Sequence, residues 1–342
     1  MHREPTQVPF PSRSAVASAA AFVLVAAATA SAAEKLPITE LTPLTQPVTS
    51  LGAAVADDWL YVYGGHLGTA HKYSVEMQAR QLLRLNLRTA DKWEVVADGP
   101  PRTGLAMVAH GGKLYRIGGW EAKNKTGEKW QLYSSRDFVR FDPETKTWHD
   151  LTPMPSGRSS HDAAVLGNHL YVIGGWELSG AGDGNWHETA LVCNLADKNP
   201  QWQEIAKPPF NRRALAVAAH AGKIYCIGGM DDSNETTTVT DIFDPATKAW
   251  SKGPSLPGKG FDGFGASAFG TSAGLFATTG SGKLCRLSDD SQFWQEVGAL
   301  NHPRSFHRLL ADTDTRLVAV GGTASGKKVA EVELFDIKES AK

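Results

Sequence analysis

The chain has 342 residues, of which 42% are hydrophobic and 21% charged, and its formal net charge at pH 7 is −1. This length allows a large buried core, and the near-zero charge excludes nucleic-acid binding through bulk positive charge. The 34 glycines and 10 tryptophans, without long amphipathic helical periodicity, indicate an all-β chain of many short strands.

The first predicted element is an export signal. Arg3 and Arg13 precede an apolar, alanine-rich run over residues 15–28, and small residues follow at positions 30–33. This order is typical of a cleaved secretory signal peptide, whereas a membrane anchor would need about 20 apolar residues. We therefore expect residues 1–33 to be the signal peptide and residues 34–342 the mature domain. The protein is then periplasmic or secreted, with no membrane span after cleavage.

A strand motif recurs along the rest of the chain. Three near-copies occupy residues 112–119, 168–175 and 222–229, and each contains a tyrosine and ends in Gly-Gly. A variable loop follows, and then Phe-Asp-Pro and a tryptophan, as in residues 141–148 and 243–250. Such self-similarity is the signature of a repeat architecture. The motif resembles the kelch repeat, which implies a β-propeller with one four-stranded blade per repeat.

Six repeats can be counted. Gly-Gly pairs lie at residues 64–65, 118–119, 174–175, 228–229 and 321–322, and Thr279 with Gly280 fills the one long gap. Five of the predicted outer strands contain a tryptophan: Trp93, Trp148, Trp202, Trp250 and Trp294. None follows the last repeat, while a strand-like segment at about residues 36–44 has no partner. We expect a six-bladed kelch-type β-propeller closed by this N-terminal outer strand, which completes the last blade.

The three cysteines, Cys193, Cys226 and Cys285, lie in strand-like runs far apart in sequence. We expect buried thiols, and the alternative is a disulfide between two of them. No spacing of cysteines or histidines is typical of a metal site. The sequence therefore predicts no metal and no cofactor.

Four of the six innermost strands are predicted to have an arginine at their entry. In kelch blades the loops at this point emerge on the same face as the loops after the Gly-Gly pairs, around the central axis. Guanidiniums match the geometry of carboxylates and phosphates, so we expect these arginines to bind a ligand: Arg102, Arg158, Arg212 and Arg304. The alternative is that they form ion pairs between blades. Val48 and Asp262 are assigned to the same position in the other two blades.

Aromatic, histidine and acidic residues accompany these arginines. The residues expected to contact a ligand with them are His66, Trp120, Trp176, Trp186 and His187. Tryptophans stack on sugar faces or apolar groups. The candidates for acid–base catalysis, if the protein is an enzyme, are Glu121, Glu177, His161 and His307.

Two functions follow from these residues. The first is an exported, monomeric binding or interaction protein that holds a protein or carbohydrate ligand, such as an anionic saccharide or an acidic peptide, on the loop face. The alternative is a periplasmic carbohydrate-processing enzyme. Bacterial sialic-acid mutarotases are similar to this chain in being exported six-bladed kelch rings, which implies an epimerase-type reaction on an anionic sugar. This resemblance covers the scaffold alone.

Overall fold

Antiparallel strands account for most of the chain in the computed structural model, which describes residue 2, residues 36–182 and residues 184–337. The predicted signal peptide lies outside the described residues apart from residue 2, so export stays a prediction. Helical structure in the described part includes a 3₁₀ turn at Val75–Met77 and α1 at Gly260–Gly263.

Six four-stranded sheets form the blades, and in each sheet neighbouring strands run antiparallel. From the innermost strand outward, blade 1 contains β2 (Gly52–Ala56), β3 (Trp59–Tyr63), β4 (Gln81–Asn86) and β5 (Glu94–Asp98). Blade 2 contains β6 (Ala106–His110), β7 (Lys113–Ile117), β10 (Phe138–Asp142) and β11 (Thr147–Asp150). Blade 3 contains β12 (Asp162–Leu166), β13 (His169–Ile173), β17 (Leu191–Asn194) and β18 (Gln203–Glu204). Blade 4 contains β20 (Ala216–His220), β21 (Lys223–Ile227), β23 (Thr240–Asp244) and β24 (Ala249–Gly253). Blade 5 contains β25 (Ser267–Thr271), β26 (Gly274–Thr278), β27 (Lys283–Leu287) and β28 (Trp294–Ala299). Blade 6 contains β29 (Arg308–Thr313), β30 (Arg316–Val320), β33 (Val332–Asp336) and β1 (Ile38–Leu41). The predicted all-β, six-bladed architecture is confirmed.

The N-terminal strand belongs to the last blade. β1 runs antiparallel to β33, with Ile38 opposite Phe335 and Leu41 opposite Val332. Leu36, just before β1, is buried in the core between blades 5 and 6. The two ends of the described chain are therefore joined through one sheet, and β33 is not left as an open edge.

The outer-strand tryptophans connect neighbouring blades. Each indole Nε1 donates a hydrogen bond to a main-chain carbonyl of the preceding blade, at N···O distances from 2.8 to 3.2 Å. Trp148, for example, donates to Asp98 and packs edge-on against Tyr63 of blade 1. Because a buried indole N–H needs an acceptor, the repeated tryptophan fixes one blade against the next.

The innermost strands are arranged around the axis in the order β2, β6, β12, β20, β25 and β29, and β29 lies next to β2. The residue two positions before each of these strands takes part in a circular set of main-chain hydrogen bonds. In this set each N–H donates to the carbonyl of the equivalent residue in the preceding blade at 2.7 to 3.0 Å. We call this ring the collar, and its members are Ser50, Gly104, Ser160, Ala214, Gly265 and Phe306. All six have φ between 52° and 70°, which the hydrogen bonds sustain in the four residues that are not glycine.

A second layer of short strands covers the end of the blades where the Gly-Gly pairs lie. We call this end the loop face. Its strands are β8 (Trp120–Ala122), β9 (Leu132–Ser134) and β15 (Ser179–Gly180) in one sheet, and the pairs β14 (Trp176–Glu177) with β16 (Asn185–Trp186), β19 (Arg212–Arg213) with β22 (Met230–Asp231), and β31 (Thr323–Ala324) with β32 (Lys327–Lys328). The tight turns between first and second strands lie at the opposite face.

The Gly-Gly pairs allow adjacent blades to approach closely. Gly118 has φ 55°, and a Cβ added there would lie 2.3 Å from the carbonyl oxygen of Arg158 in the next blade. The N–H of Gly119 donates to that carbonyl at 2.9 Å. A side chain at this position would therefore break the inter-blade hydrogen bond.

The three cysteines are free and buried, which confirms the expectation of unpaired thiols. Burial raises the pKa of Cys193 and of Cys285 to about 12 and also raises that of Cys226. No helix in residues 36–182 and 184–337 has the length and apolar character to cross a bilayer.

Candidate functional site

The four arginines at the starts of the blades are buried rather than open to the loop face. Their exposed fractions lie between 1% and 6%: Arg102, Arg158, Arg212 and Arg304. Burial lowers the pKa of Arg158 to about 10 and also lowers those of Arg212 and Arg304. Charges withdrawn from water in this way need internal hydrogen-bond partners.

Three of these arginines make equivalent contacts within their own blades. Each Nη1 donates to the carbonyl of the first glycine of the Gly-Gly pair and to a carbonyl just before the third strand, at 2.7 to 3.2 Å. The Nη2 atoms of Arg158, Arg212 and Arg304 bind Thr189, Asp241 and Glu333 respectively. The guanidinium therefore bridges the main chain of the second and third strands at the loop-face end of the blade.

Arg102 has a different set of partners in blade 2. Its Nη1 donates to Glu121 and its Nη2 to Asp137, both at 2.7 Å. In blade 5 the equivalent position is Gly263 rather than Asp262, because its carbonyl accepts from Gly229 as the arginine carbonyls do in other blades. The four arginines act as ties within blades, and neither the expected ligand contacts nor the expected inter-blade ion pairs describe them.

His161 and His307 are buried where blades 1, 2 and 4 have Leu51, Leu105 and Leu215. Burial lowers the pKa of His307 to about 3 and that of His161 well below its ordinary value. The Nε2 of His307 lies 2.7 Å from the hydroxyl of Thr278. Both side chains are therefore neutral members of the core between blades, where a substrate does not reach them.

The two candidate carboxylates lie on the loop face but in structural roles. Glu121 pairs with Arg102 and, at 3.7 Å, with Lys123. Glu177 accepts a hydrogen bond from the main-chain N–H of Gly157 at 3.0 Å. The structure therefore does not bring the four proposed acid–base residues together as one set.

Aromatic side chains from blades 1 and 2 pack together on the loop face. Tyr73 lies with its ring centroid 5.1 Å from those of His66, Trp120 and Trp130. Trp120 is almost fully buried in this cluster, whereas Trp130 is 41% exposed. His66 is buried, its Nε2 lies 3.1 Å from the carbonyl of Thr69, and burial lowers its pKa. Of these side chains, Trp130 offers the most surface to a ligand.

Blades 3 to 6 continue this arrangement around the axis. The rings of Trp176 and Trp186 lie 5.7 Å apart, and the guanidinium of Arg213 lies over both, 4.3 Å and 5.6 Å from their centroids. Phe264 is 5.8 Å from the same guanidinium and 5.0 Å from Phe306 of the collar. We call the whole set the aromatic arc, which consists of Tyr73, Trp120, Trp130, Trp176, Trp186, Arg213, Phe264 and Phe306.

His187 lies behind this arc. Its Nε2 is 2.9 Å from the carbonyl of Gly157. Burial, with a smaller effect from the charge of Arg158, lowers its pKa to about 4. A neutral imidazole held by main chain supports the β14–β16 hairpin rather than a charged ligand.

The central channel is crossed by an ion pair. Arg308 of blade 6 reaches Asp162 of blade 3 at 2.6 Å, and also donates to the carbonyls of Leu51 and Leu105. The other oxygen of Asp162 accepts from the N–H of Val217 in blade 4. Beyond this pair, toward the opposite face, lies a cavity of about 300 Å³ walled by small apolar residues of all six innermost strands.

Comparisons with known proteins agree with this architecture. A family model described as the KLHDC2/KLHL20/DRC7 Kelch-repeats domain matches residues 24–175, and the Kelch motif matches residues 211–257. The chain is a kelch-repeat protein. This kelch propeller is similar to Kelch-like protein 35 of Mus musculus, with 26% identity over 58% of this chain and 29% of that protein. It is also similar to Alpha-scruin of Limulus polyphemus, with 24% identity over 70% of this chain and 27% of that protein.

The same kelch fold is present in the solved structure of YjhT. The two superpose with a TM-score of 0.69 over 87% of this chain and 97% of that chain, at 19% sequence identity. At this identity the likeness concerns the fold. The kelch propeller spans less than a third of the length of the two curated relatives.

The site residues that were not among the predicted ligand contacts are Tyr73, Trp130, Arg213, Phe264, Phe306 and Arg308. Three of them depart from the repeat: Arg213, Phe264 and Arg308. They could have been found by aligning the six kelch repeats on the collar residue. The position before the collar is a threonine or serine in four blades, but Arg213 in blade 4 and Phe264 in blade 5. Two positions after the collar, four blades have a small residue, whereas blades 3 and 6 have Asp162 and Arg308. Departures from a repeat that serves the fold are the sites where function is expected.

Proposed function

We propose that this kelch propeller is a binding or interaction protein whose ligand sits on the aromatic arc of the loop face. The observation that supports the proposal is the gathering of aromatic side chains from five of the six blades beside the collar. Residues on loops held by a rigid scaffold are well placed for recognition, and tryptophan and tyrosine are enriched among residues that dominate binding energy.

The ligand class follows from the side chains that remain accessible. Trp130 is exposed and Trp186 is partly exposed, and the guanidinium of Arg213 supplies a positive charge over the ring of Trp186. Aromatic faces stack on sugar rings or on apolar side chains. An anionic saccharide or an acidic peptide segment is therefore the proposed ligand, now held by the aromatic arc and not by the four buried arginines.

Binding is tested with the purified chain from residue 34 on an array of acidic and neutral saccharides and peptides, followed by titration of each hit. Trp130→Ala and Trp186→Ala should each weaken the hit by about tenfold, which corresponds to about 1.4 kcal/mol. Phe293→Ala is the matched control, because Phe293 is an exposed aromatic residue in the turn between β27 and β28 on the opposite face.

Equal affinity in all three variants would contradict a ligand site on the aromatic arc. Loss of affinity in Phe293→Ala alone would place binding on the opposite face. Circular dichroism of each variant separates a lost contact from a lost fold.

The carbohydrate-processing alternative is supported less by the geometry. Mutarotation needs an acid and a base close to the anomeric carbon, whereas His161 and His307 are buried and Glu121 and Glu177 hold structural partners. An NMR assay of anomeric exchange in acidic and neutral sugars tests it, and acceleration that is lost in Glu121→Gln would restore the enzyme hypothesis.

Export is proposed from the sequence of residues 1–33. The basic, apolar and small-residue order supports it. Expression of the full chain in a bacterium, with mass spectrometry of the N-terminus, should give a mature protein beginning at about residue 34 in the periplasmic fraction. An uncleaved chain in the cytoplasmic fraction would contradict the proposal.

A further inference from the structure

Arg213 replaces a small hydroxyl residue at one position of the repeat. The equivalent residues are Thr49, Thr103, Ser159 and Ser305, and each forms a main-chain bridge with the residue that follows its Gly-Gly pair. Arg213 makes the same pairing with Met230. Because the main chain of blade 4 needs nothing that serine or threonine does not supply, the long charged side chain at residue 213 is not required for the fold.

The guanidinium of Arg213 has no carboxylate within ion-pair distance among the described residues. Its one side-chain hydrogen bond runs from Nη2 to the sulfur of Met230 at 3.0 Å, and its Nε is buried with no acceptor in the described part of the chain. The neighbouring Arg212, by contrast, is bound to Asp241. Thioether sulfur is a weak acceptor, so most of the hydrogen-bonding capacity of Arg213 is unused.

The surroundings of Arg213 are apolar on several sides. Trp176, Trp186 and Phe264 lie within 5.8 Å of the guanidinium. The indole Nε1 of Trp176 is a second buried donor without an acceptor in residues 36–182 and 184–337. Buried donors that lack acceptors are costly, and among the described residues no ion pair of Arg213 offsets that cost.

We propose that Arg213 is the anion-binding residue of the loop face, and that it takes a carboxylate carried on an apolar or ring-shaped body that packs against Trp176, Trp186 and Phe264. This inference rests on the proposed function and names the chemistry of the ligand. The guanidinium fork donates two parallel hydrogen bonds, one to each oxygen of a carboxylate. The fold has already removed much of the water from the guanidinium, so a ligand does not have to displace a full hydration shell.

Benzoate is the probe, because it combines a carboxylate with an apolar ring. Benzamide has the same shape without the charge, and acetate has the charge without the ring. Isothermal titration and saturation-transfer NMR measure the binding of each to the chain from residue 34. We expect benzoate to bind more tightly than either control compound, and Arg213→Ala to weaken benzoate by about tenfold or more. Arg213→Lys should lie between, because an ammonium keeps the charge but loses the fork.

Arg286→Ala is the matched arginine control. Arg286 lies at the opposite face, where it pairs with Asp289 and binds the carbonyl of Ala273. Its removal changes the net charge by the same amount and should leave the affinity for benzoate unchanged. Unchanged melting temperature in Arg213→Ala, expected from the serine and threonine at the equivalent positions, shows that the variant is folded.

Equal binding of benzoate and benzamide, or equal affinity in Arg213→Ala and the unchanged chain, would overturn the assignment. This result is separable from failure of the proposed function. If array hits are lost in Trp186→Ala but kept in Arg213→Ala, the loop face binds its ligand without an anion site. If no variant of the aromatic arc affects any hit, the proposed function fails as well.

Discussion

Arg212 and Arg213 are adjacent in sequence, yet their guanidiniums have different surroundings. Arg212 is buried among carbonyls and the carboxylate of Asp241. Arg213 lies half-buried between aromatic rings on the loop face. The side chains of neighbouring strand residues point to opposite sides, so a single step along β19 separates a structural tie from a candidate binding group.

The structural role of the buried arginines can be measured at Arg304. Arg304→Ala leaves the carboxylate of Glu333, which is fully buried, without its charged partner. Breaking a buried ion pair in this way costs about 3–5 kcal/mol. Urea denaturation monitored by tryptophan fluorescence should show this loss in the free energy of unfolding.

Two variants control for this effect. Adding Glu333→Gln to Arg304→Ala should recover part of the loss, because the amide keeps an acceptor for the N–H of Asn301 without an unpaired charge. Asp289→Ala removes an exposed ion pair with Arg286 and should change stability by less than about 1 kcal/mol. If Arg304→Ala cost no more than Asp289→Ala, the guanidinium would not be holding the blade.

His307 should make the stability of the protein depend on pH. Burial lowers its pKa from 6.5 to about 3 in the folded chain. As the pH falls below 6.5, the unfolded chain takes up a proton at this residue and the folded chain does not. The contribution of His307 to the free energy of unfolding is therefore fully present above pH 6.5 and is lost progressively toward pH 3. The expected slope is about 1.4 kcal/mol per pH unit from this group.

His307→Leu should remove that part of the pH dependence, because a leucine side chain takes up no proton. The variant should fold, since leucine occupies the same position in blades 1, 2 and 4. Denaturation curves recorded from neutral pH down to about pH 4 give the slope for each variant. His149→Gln, which changes an exposed residue of β11, is the control. Identical slopes for His307→Leu and the unchanged chain would show that His307 does not remain neutral in the fold.

The N-terminal strand β1 completes the last blade. β1 supplies the outer strand of blade 6, and blade 6 is also the blade without an outer-strand tryptophan. The missing tryptophan and the unpartnered N-terminal segment were both visible in the sequence. Their pairing with each other could be predicted, because an exposed edge of β33 would be a site of aggregation.

A chain that begins at residue 42 lacks β1 and should be less stable than one that begins at residue 35. It loses the four residue pairings with β33 and the burial of Leu36, and one buried leucine alone contributes about 1.5–3 kcal/mol. Thermal denaturation should show a lower midpoint, and size-exclusion chromatography should show association through the exposed edge of β33. Equal midpoints and elution volumes for the two chains would contradict this role of β1.

The loop strands were not predicted as strands. Trp120, Trp176 and Trp186 were selected as ligand contacts, but they also form the pairs of β8 and of β14 with β16. Loops between the second and third strands are long in blades 1 to 3, and sequence alone does not show that they pack on one another. Their packing buries Trp120 and leaves Trp130 exposed.

The blades are connected to one another both around the ring and across its central axis. The collar links each blade to the next, and the Arg308–Asp162 pair links two blades that stand opposite each other. Both side chains are largely buried. This pair lies between the loop face and the cavity of about 300 Å³.

Arg308→Ala should destabilise the propeller by about 3 kcal/mol, because it leaves Asp162 charged and without its partner in the channel. Asp162→Ala and the double variant complete a thermodynamic cycle. We expect a coupling energy of about 1 kcal/mol or more, since the two groups are in direct contact. A coupling energy near zero would mean that opposite blades are not joined through this pair.

The sequence by itself determined the repeat, the number of blades, the positions of the outer tryptophans and, in five of the six blades, the residue at the entry of the innermost strand. These follow from local patterns of spacing and alternation, which the backbone period of two imposes on every blade. Which arginine is buried and which is accessible was decided only by the tertiary structure. A guanidinium is withdrawn or exposed according to the carbonyls and carboxylates that surround it, and those groups come from segments about 15 to 30 residues away within the blade. The alternation along β19 then turns Arg212 inward and leaves Arg213 to the loop face.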